Sequence, residues 1–278
     1  MAVSAARSTE GTAPAPAATA VAIAAEGVCL TYGAPGSPEI LRDVSLSVPR
    51  GGFVSLIGPS GCGKSTLLKI MAGLVEPTTG RMTVAGIRPV EAAKRRKIGL
   101  VFQDANLLPW KSALDNAMLL RSVADKAMPK AEVRARAEAM LELVGLADAM
   151  RKLPSQMSGG MRQRAAIARA LALDPDVLLM DEPFGALDAI TRDEMCEQLL
   201  DIWQRTHKTI VLVTHSIDEA VFLSGEVHVL GVKPGRIVET IDIPFAYPRG
   251  EATHEDARFR ALENHLRGLL RRGHGGRQ

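Results

Sequence analysis

One short stretch of this chain has the composition and spacing of a phosphate-binding loop, G-x-x-x-x-G-K-[ST]. Its three glycines carry no side chains, so consecutive backbone N–H groups can converge on phosphate oxygens. The lysine is placed to reach the outer phosphates of a nucleotide, and the serine after it is placed to hold Mg²⁺. The stretch consists of Gly58, Pro59, Ser60, Gly61, Cys62, Gly63, Lys64, Ser65 and Thr66.

The segments on either side of this loop are of the kind that would position it. Residues 53–57 (FVSLI) predict a buried strand, and residues 64–72 (KSTLLKIMA) predict a helix with apolar residues on one face. A phosphate in the loop would then lie at a helix N-terminus, whose partial positive charge favours an anion. A glycine-rich turn without a ligand is the alternative, and the strand–loop–helix order disfavours it.

Two carboxylates follow another apolar run. Residues 177–180 (VLLM) predict a strand, and Asp181 and Glu182 come at its C-terminal edge, where α/β sheets hold their ligands. Asp181 would complete the Mg²⁺ site, while Glu182 is placed to orient or deprotonate the water that attacks a γ-phosphate. The alternative is a surface acidic pair before the turn at Pro183.

A third constellation offers a second anion-binding position. Ser158, Gly159 and Gly160 precede a strongly helical run, residues 161–172, and combine a hydroxyl with bare backbone N–H groups at a helix start. One nucleotide cannot obviously occupy both positions, but two antiparallel copies of the chain could each close the other's site. A plain serine N-cap is the alternative.

Composition limits the classes of protein to which the chain can belong. The 278 residues are 46% hydrophobic and 23% charged, which suffices for a substantial core in one large domain or a domain with a lobe. The net charge of +3 does not indicate nucleic-acid binding. Three widely spaced cysteines favour a reducing compartment, and Cys62 in the loop suggests sensitivity to alkylation. No run approaches the roughly eighteen apolar residues that cross a bilayer, so work at a membrane would need another chain.

The order of elements predicts a mostly parallel sheet covered on both faces, because strands alternate with helices along most of the chain. Residues 28–32 and 39–48 predict a small antiparallel sheet, and residues 105–160 an inserted helical lobe. Further strands are predicted at residues 81–85, 97–102, 209–213, 227–230 and 236–243, and helices at residues 113–121, 129–144, 191–206, 217–223 and 257–270.

Together these motifs resemble those of ATP-binding cassette (ABC) ATPases over roughly residues 23–243. Residues 58–66 are similar to the Walker A loop of that family, residues 177–182 to its Walker B strand, and residues 158–161 to its signature sequence. The resemblance implies an α/β fold: a P-loop NTPase cassette with a RecA-like parallel-sheet core, an antiparallel β subdomain and an inserted helical subdomain. It also implies ATP and Mg²⁺ as cofactors.

Four further residues stand where this family has functional positions. Tyr32 matches the aromatic residue that stacks on adenine, and Gln103 stands at the Q-loop, Asp188 at the D-loop and His215 at the switch histidine. The resemblance implies that Gln103 senses the metal and a membrane partner, that His215 contacts the γ-phosphate and that Asp188 acts across a dimer. Taken singly, an exposed glutamine, a turn aspartate and a strand-end histidine are the alternatives.

The resemblance also implies domain bounds. It places the ATPase domain at residues 23–248 with its helical subdomain at about 105–160, followed by a short C-terminal tail at residues 249–278. A disordered N-terminal tail is expected at residues 1–22, because residues 1–20 are rich in Ala, Pro, Ser and Thr and have no apolar period.

One departure from the usual signature narrows the resemblance, since Met161 stands where the family commonly has glutamine. Together with residues 107–110 (LLPW) and 181–188 (DEPFGALD), it is similar to the branch that imports nitrate, sulfonates and taurine. The implied protein is a homodimeric ATPase, peripheral on the cytoplasmic face of the inner or plasma membrane. Its implied partners are integral membrane permease subunits and, indirectly, an extracytoplasmic solute-binding protein, with no nucleic acid.

Two points stay open at the level of sequence. Leu107, Leu108 and Trp110 are expected to line an exposed groove for a short helix of the permease, with packing inside the lobe as the alternative. The transported solute does not touch this subunit, so an importer for a vitamin precursor or an exporter for lipid or lipoprotein is also compatible. A soluble ABC protein acting on nucleic acid is a remote alternative, because there is one cassette and no sustained heptad pattern.

Overall fold

The computed structural model describes residues 20–33 and 36–274, which form two β-sheets with helices packed around them. The strands are β1 (Val21–Thr31), β2 (Glu39–Pro49), β3 (Phe53–Ile57), β4 (Thr79–Val84), β5 (Ile98–Val101), β6 (Val177–Asp181), β7 (Thr209–Val213), β8 (Glu226–Leu230) and β9 (Ile237–Asp242). The α-helices are α1 (Lys64–Met71), α2 (Pro89–Lys94), α3 (Ala113–Ala124), α4 (Lys130–Leu143), α5 (Gly159–Leu171), α6 (Ala189–Thr206), α7 (Ile217–Leu223), α8 (Glu251–Glu255) and α9 (Ala257–His274). Two short 3₁₀ helices lie at Ala147–Ala149 and Pro154–Gln156. No helix in this part of the chain combines the length and apolar character needed to span a membrane.

The larger sheet brings the ends of three motif-bearing strands together. Its strand order is β5-β6-β7-β3-β8-β9, with every neighbouring pair parallel except β8 and β9. Val213 of β7 lies opposite Leu56 of β3 on one side and opposite Asp181 of β6 on the other. The residues that follow these three strands therefore emerge side by side at the carboxyl edge of the sheet, where α/β folds hold ligands.

Both faces of this sheet are covered, which confirms the predicted architecture. Phe53 and Ile57 of β3 belong to a hydrophobic cluster that includes the helices α3 to α7. Val54 and Leu56 of the same strand belong to a second cluster, shared with α1 and the smaller sheet. A parallel strand buried on both sides reads as a continuous apolar run, as β3 does.

The smaller sheet is antiparallel, has the order β2-β1-β4 in the described residues, and is larger than predicted. Its central strand β1 begins at Val21 rather than at residue 28, because Ile23 pairs with Val48 on one side and Val84 on the other. The alanines around Ile23 have little intrinsic β-propensity, so tertiary pairing forms this part of the strand. The expected N-terminal tail falls outside the described residues up to residue 19.

The inserted lobe contains α3, α4 and the start of α5. Ser112 caps α3 by accepting a hydrogen bond from Asp115 N at 3.1 Å, and Ser158 caps α5 by accepting one from Met161 N at 3.2 Å. α5 begins at Gly159, two residues before the predicted start, because the cap residue is Ser158. Neither α2 nor α8 is predicted from the sequence, since five or six residues are too few to show a helical period.

The C-terminal segment packs against the helix that follows the β7 strand. Phe259 of α9 is buried in the larger hydrophobic cluster. Arg249 is also buried, and its Nη1 donates to the carbonyl oxygens of Val221, Phe222 and Ser224 at 2.9–3.0 Å. A guanidinium at the C-terminal end of α7 satisfies carbonyls that the helix leaves unpaired. The segment therefore stabilises the helix that begins two residues after His215.

Candidate active site

A cavity of about 330 Å³ opens at the carboxyl edge of the larger sheet. It is lined by Tyr32, Ile40, Ser60, Gly61, Gly63, Lys64, Ser65, Thr66, Glu182 and His215. Except for Ile40, every lining residue belongs to the set that the sequence predicts. Ile40 is an apolar residue of β2, and nothing in its type distinguishes it from the rest of that strand.

The loop at the floor of the cavity depends on glycine. Gly61 and Gly63 have φ angles of +76° and +95°, in the left-handed region that residues with a Cβ avoid. A Cβ on Gly63 would also lie 2.6 Å from Leu41 Cδ2, and one on Gly58 would lie 2.6 Å from Leu230 O. The backbone is thus packed closely from below while its upper face stays open for a phosphate.

Lys64 is the cation of the cavity. The residue is only 4% exposed, and its Nζ donates to Gly58 O at 2.8 Å and to Pro59 O at 3.1 Å. These carbonyls solvate an ammonium that burial would otherwise destabilise. Because Lys64 also lines the cavity, the same ammonium can turn to the oxygens of a bound phosphate.

Cys62 contributes to the loop from beneath rather than to the cavity surface. Its side chain is fully buried in the cluster that α1 shares with the smaller sheet. Burial raises the pKa of its thiol above the ordinary value. Since alkylation needs an accessible thiolate, both observations contradict the sensitivity expected from its place in the motif.

Two of the residues expected to hold Mg²⁺ are hydrogen-bonded to each other. Ser65 Oγ donates to Asp181 Oδ1 at 2.9 Å, which joins the start of α1 to the end of β6. A hydroxyl and a carboxylate are the hard oxygen ligands that Mg²⁺ takes beside substrate phosphates, so these residues fit the ion. When bound, Mg²⁺ would neutralise negative charge on the phosphates. In the described residues no group of three or more His, Cys, Asp or Glu forms a metal site, and a site completed by phosphates does not require one.

Gln103, the third expected metal contact, lies apart from this pair. Its side chain is exposed and does not line the cavity. Its Nε2 is 3.2 Å from where a Cβ on Gly185 would stand, so it lies against the turn that follows Glu182. Its role at the metal stays a prediction.

Glu182 and His215 are in direct contact where they line the cavity. His215 Nε2 lies 2.6 Å from Glu182 Oε1. Glu182 has a φ of +49°, unusual for a residue with a side chain, and its backbone N–H donates to Val213 O at 2.9 Å. Such strain persists where the surroundings over-determine it, commonly at functional sites. A carboxylate in this place can accept a proton from a water held over the phosphate loop.

The remaining predicted residues form a second surface, exposed at Ser158 and Asp188 but buried at Gly160, that does not line the cavity. Ser158 and Asp188 are both exposed N-cap residues, of α5 and α6 respectively. A Cβ on Gly160 would lie 3.0 Å from Thr191 Cγ2, so the two helix starts are in contact. Asp188 accepts a hydrogen bond from Thr191 N at 3.0 Å, and this bond lowers the pKa of its carboxyl below the ordinary value. We call this region, residues 158–160 and 188, the signature surface.

Comparison with known proteins agrees with this geometry. A family model described as ABC transporter matches residues 41–185, more than half of the chain. This chain belongs to the ABC transporter family. The chain is therefore an ABC ATPase, as the motifs predict.

Relatives of this ABC ATPase come from the predicted branch. The nitrate import ATP-binding protein NrtD of Synechococcus elongatus is 45% identical over 245 residues, which are 87% of this chain and 89% of that protein. The taurine import ATP-binding protein TauB of Pseudomonas aeruginosa is 47% identical over 232 residues, 82% of this chain and 87% of its own. The resemblance to the nitrate, sulfonate and taurine branch is thereby confirmed.

Solved structures agree on the cassette fold. The ATP-binding cassette MJ0796, in a dimeric post-hydrolysis state bound to ADP and Pi, has a TM-score of 0.70 and 35% identity, and the match covers 81% of this chain and all of that one. The structure of cbiO1 from Clostridium perfringens, part of the ABC transporter complex cbiONQ, has a TM-score of 0.74 at 25% identity and covers 91% and 98%. The predicted fold class is confirmed.

Two buried polar residues near the site were not found from the sequence. Gln163 of α5 is 3% exposed, and its Nε2 donates to Phe102 O at 3.0 Å, directly before Gln103. Glu219 of α7 is 4% exposed, and burial raises the pKa of its carboxyl above the ordinary value. A polar residue on the apolar face of a predicted helix is the signal that could have marked them.

Proposed function

We propose that this ABC ATPase powers an importer for a small oxyanion of the nitrate, alkanesulfonate or taurine type. The observation that carries the proposal is its 45–47% identity with a nitrate import and a taurine import protein over more than four fifths of the chain. The two relatives serve different solutes at nearly equal identity. The proposal therefore names the class of solute and not one member of it.

Hydrolysis in this proposal uses the residues around the cavity. Lys64 and the backbone N–H groups of the loop hold the phosphates of ATP, and Ser65 and Asp181 hold Mg²⁺. Glu182 takes the proton of the water that attacks the γ-phosphorus, and the bond to the ADP oxygen breaks. His215, 2.6 Å from that carboxylate, orients Glu182 and contacts the γ-phosphate.

Two copies of the chain would complete each other's sites. The signature surface is exposed and does not line the cavity of its own chain, yet it presents the N-terminus of α5, which favours an anion. In an antiparallel homodimer that surface would close over the nucleotide of the partner copy, with Asp188 acting at the interface. The dimeric state of MJ0796, to which this chain is similar, supports the arrangement.

The permease would dock beside the helical lobe, at Trp110. Its side chain is 72% exposed, an unusual position for the largest apolar side chain. The fully buried Asn116 ties the loop on both sides of Trp110, since its Oδ1 accepts from Leu108 N at 2.7 Å and its Nδ2 donates to Lys111 O at 3.0 Å. Leu107 packs against the hydrophobic core instead, so of the predicted groove residues Trp110 carries most of the exposed surface.

The proposed location follows from these partners. The ATPase would be peripheral, on the cytoplasmic face of the inner or plasma membrane, and bound to integral membrane permease subunits. An extracytoplasmic solute-binding protein would meet the permease from the other side and contact this chain only indirectly. Nucleic acid is not a proposed partner, since the net charge is only +3.

The proposal is tested by isolating tagged Glu182→Gln protein with ATP from detergent-solubilised membranes of the source cells. We expect a multi-spanning protein to co-purify, because a chain that binds ATP without hydrolysing it keeps its closed assembly. The cognate binding protein, identified by mass spectrometry, should bind nitrate, taurine or an alkanesulfonate. Recovery of soluble partners alone, or of nucleic acid, would contradict the importer.

The docking site is tested with a matched pair of variants in the same isolation. Trp110→Ala should lose the multi-spanning protein and the stimulation of ATPase activity by the permease, while the isolated chain hydrolyses ATP as before. The control is Val238→Ala, which also removes an exposed apolar side chain but lies on β9, at the opposite edge of the sheet. Equal retention of the permease by both variants would refute the role of Trp110.

A further inference from the structure

The buried carboxylate of Glu219 has no part in the site described above, yet it lies one contact away from it. The residue stands in the first turn of α7 and is 4% exposed. A carboxylate at this depth is costly unless its oxygens have partners. Its two oxygens contact different segments of the chain, and both segments lead to the active site.

One oxygen holds the segment that contains His215. Thr214 Oγ1 donates to Glu219 Oε2 at 2.5 Å, and the same hydroxyl accepts a hydrogen bond from Ser216 N at 3.0 Å. Thr214 and Ser216 are the two neighbours of His215 in the chain. The hydroxyl therefore fixes the backbone on both sides of the imidazole that lies 2.6 Å from Glu182.

The other oxygen faces the segment that contains Asp188. Arg192 Nε, in the first turns of α6, lies 3.5 Å from Glu219 Oε1. Arg192 Nη2 donates to Leu187 O at 2.9 Å, at the residue before Asp188. One carboxylate thus stands between the turn that leads into the signature surface and the loop that carries His215.

The contact between Glu219 and Arg192 is an ion pair without a hydrogen bond in this conformation. Arg192 Nε is buried and has no hydrogen-bond acceptor within the described part of the chain, although Glu219 Oε1 is only 3.5 Å away. A buried donor left unpaired costs free energy that a small movement of the guanidinium would recover. A shift of the turn at Leu187 can therefore pull on Glu219 through this arginine.

We propose that Glu219 is a positioning residue that sets the place of His215 in the active site. It acts on His215 through Thr214, and Arg192 links it to the turn at Leu187. The inference rests on ATP hydrolysis by this chain and does not depend on which solute the transporter carries. Glu219 is buried and does not line the cavity, so its effect is on the rate of hydrolysis and not on nucleotide affinity.

The test compares Glu219→Gln with Asp201→Asn in the purified chain. Both convert the acid of an acid–arginine pair into its amide, but the pair of Asp201 and Arg205 is exposed on α6. We expect Glu219→Gln to lower kcat by about 10- to 100-fold, the range that displacement of a catalytic group by about 1 Å produces. The KM, the Kd for a fluorescent ATP analogue and the Tm should stay close to those of Asp201→Asn.

A second readout separates positioning from general loss of structure. The ring nitrogens of His215 are followed by NMR, with assignment from His215→Gln among the six histidines of the chain. The signals of His215 should move in Glu219→Gln and remain in place in Asp201→Asn. Unmoved signals, or a kcat equal to that of the control, would overturn the inference.

Thr214 keeps the test decisive if Glu219→Gln does not fold. Thr214→Val removes the hydroxyl and keeps the shape, while Thr214→Ser keeps the hydroxyl. We expect Thr214→Val to lose kcat as Glu219→Gln does and Thr214→Ser to recover most of it. Equal rates for the two variants would overturn the inference, whereas absence of hydrolysis by the unmodified chain would instead contradict the ATPase assignment.

Discussion

The cavity around Lys64 and the signature surface around Ser158 both lie at a helix N-terminus, but they differ in the side chains that surround it. Both present the N-terminus of a helix to an anion, α1 in the cavity and α5 at the surface. In the cavity, side chains from the ends of three adjacent strands converge on that helix end. At the surface, the cap hydroxyl of Ser158 and the carboxylate of Asp188 stand exposed, and neither lines the cavity. The difference supports the proposal that one chain supplies the phosphate loop and the base of a site, while a second chain supplies its signature surface.

Removing the base from the complete half should have the largest effect. Glu182→Gln should lower ATP hydrolysis by about 100- to 10,000-fold, because a positioned base contributes that much, and should leave the Kd for ATP unchanged. Rates come from phosphate release and affinity from a fluorescent ATP analogue. Glu197→Gln, an exposed glutamate of α6, is the matched control. Weakened ATP binding in Glu182→Gln would mean that the carboxylate holds the nucleotide rather than the water.

Blocking the signature surface should stop hydrolysis without touching the cavity. Ser158→Arg should lower the rate by about 100-fold, as loss of a preorganised donor to a transition state does, while each chain still binds ATP. An equal mixture of Ser158→Arg with the cavity-defective Lys64→Ala should recover about one quarter of the wild-type rate. Half of the randomly formed dimers contain one chain of each variant, and each of these dimers has one of its two sites intact.

Two results from that experiment would contradict a role of the signature surface at the nucleotide of a partner chain. A wild-type rate in Ser158→Arg alone would show that the signature surface takes no part in hydrolysis. A lost affinity for ATP in the same variant would show that it belongs to the nucleotide site of its own chain.

The smallest expected effect is on stability, where the two helix caps of the signature surface, Asp188 and Ser158, should differ in their dependence on pH. The hydrogen bond from Thr191 N lowers the pKa of Asp188, so its cap contributes stability above the unfolded pKa of about 3.9 and loses it as the pH falls through the lower folded value. The hydroxyl of Ser158 does not titrate in this range. The urea midpoint of Asp188→Ser should therefore approach that of wild type as the pH falls below about 4. A constant difference, or a carboxyl ¹³C titration of Asp188 at the ordinary pKa, would contradict the assignment.

The sequence was most informative where one function needs consecutive residues. A phosphate loop requires adjacent N–H groups, so residues 58–66 could be recognised without knowing the fold. Asp181 and Glu182 could be found because a buried parallel strand reads as an apolar run and its end is visible. The chain therefore showed nearly every residue that lines the cavity, and its alternation of strands and helices indicated the sheet.

Residues that lie outside these consecutive motifs could not be predicted from the sequence. Ile40 lines the cavity because β2 runs beside the loop. Glu219 meets Thr214, five residues earlier, where the chain turns from β7 into α7. Arg249 serves the carbonyls of α7 from a position more than twenty residues later in the chain. The contacts of Ile40 and Arg249 have no local period or spacing, since each depends on the path of two separate segments.

The sequence by itself thus predicted the local chemistry of this ABC ATPase: the helix starts proposed to bind anions, the strand ends proposed to carry the base and the metal ligand, and the family they resemble. The tertiary structure decided which of them share a cavity. Register places the ends of β3, β6 and β7 side by side, and so brings Lys64, Asp181 and His215 together. The same fold leaves Ser158 and Asp188 on another surface, because α5 and α6 begin outside the cavity. The motifs are visible in the sequence because they depend on hydrogen bonds between neighbouring residues. Their placement in or outside the cavity depends on long-range packing of the sheet.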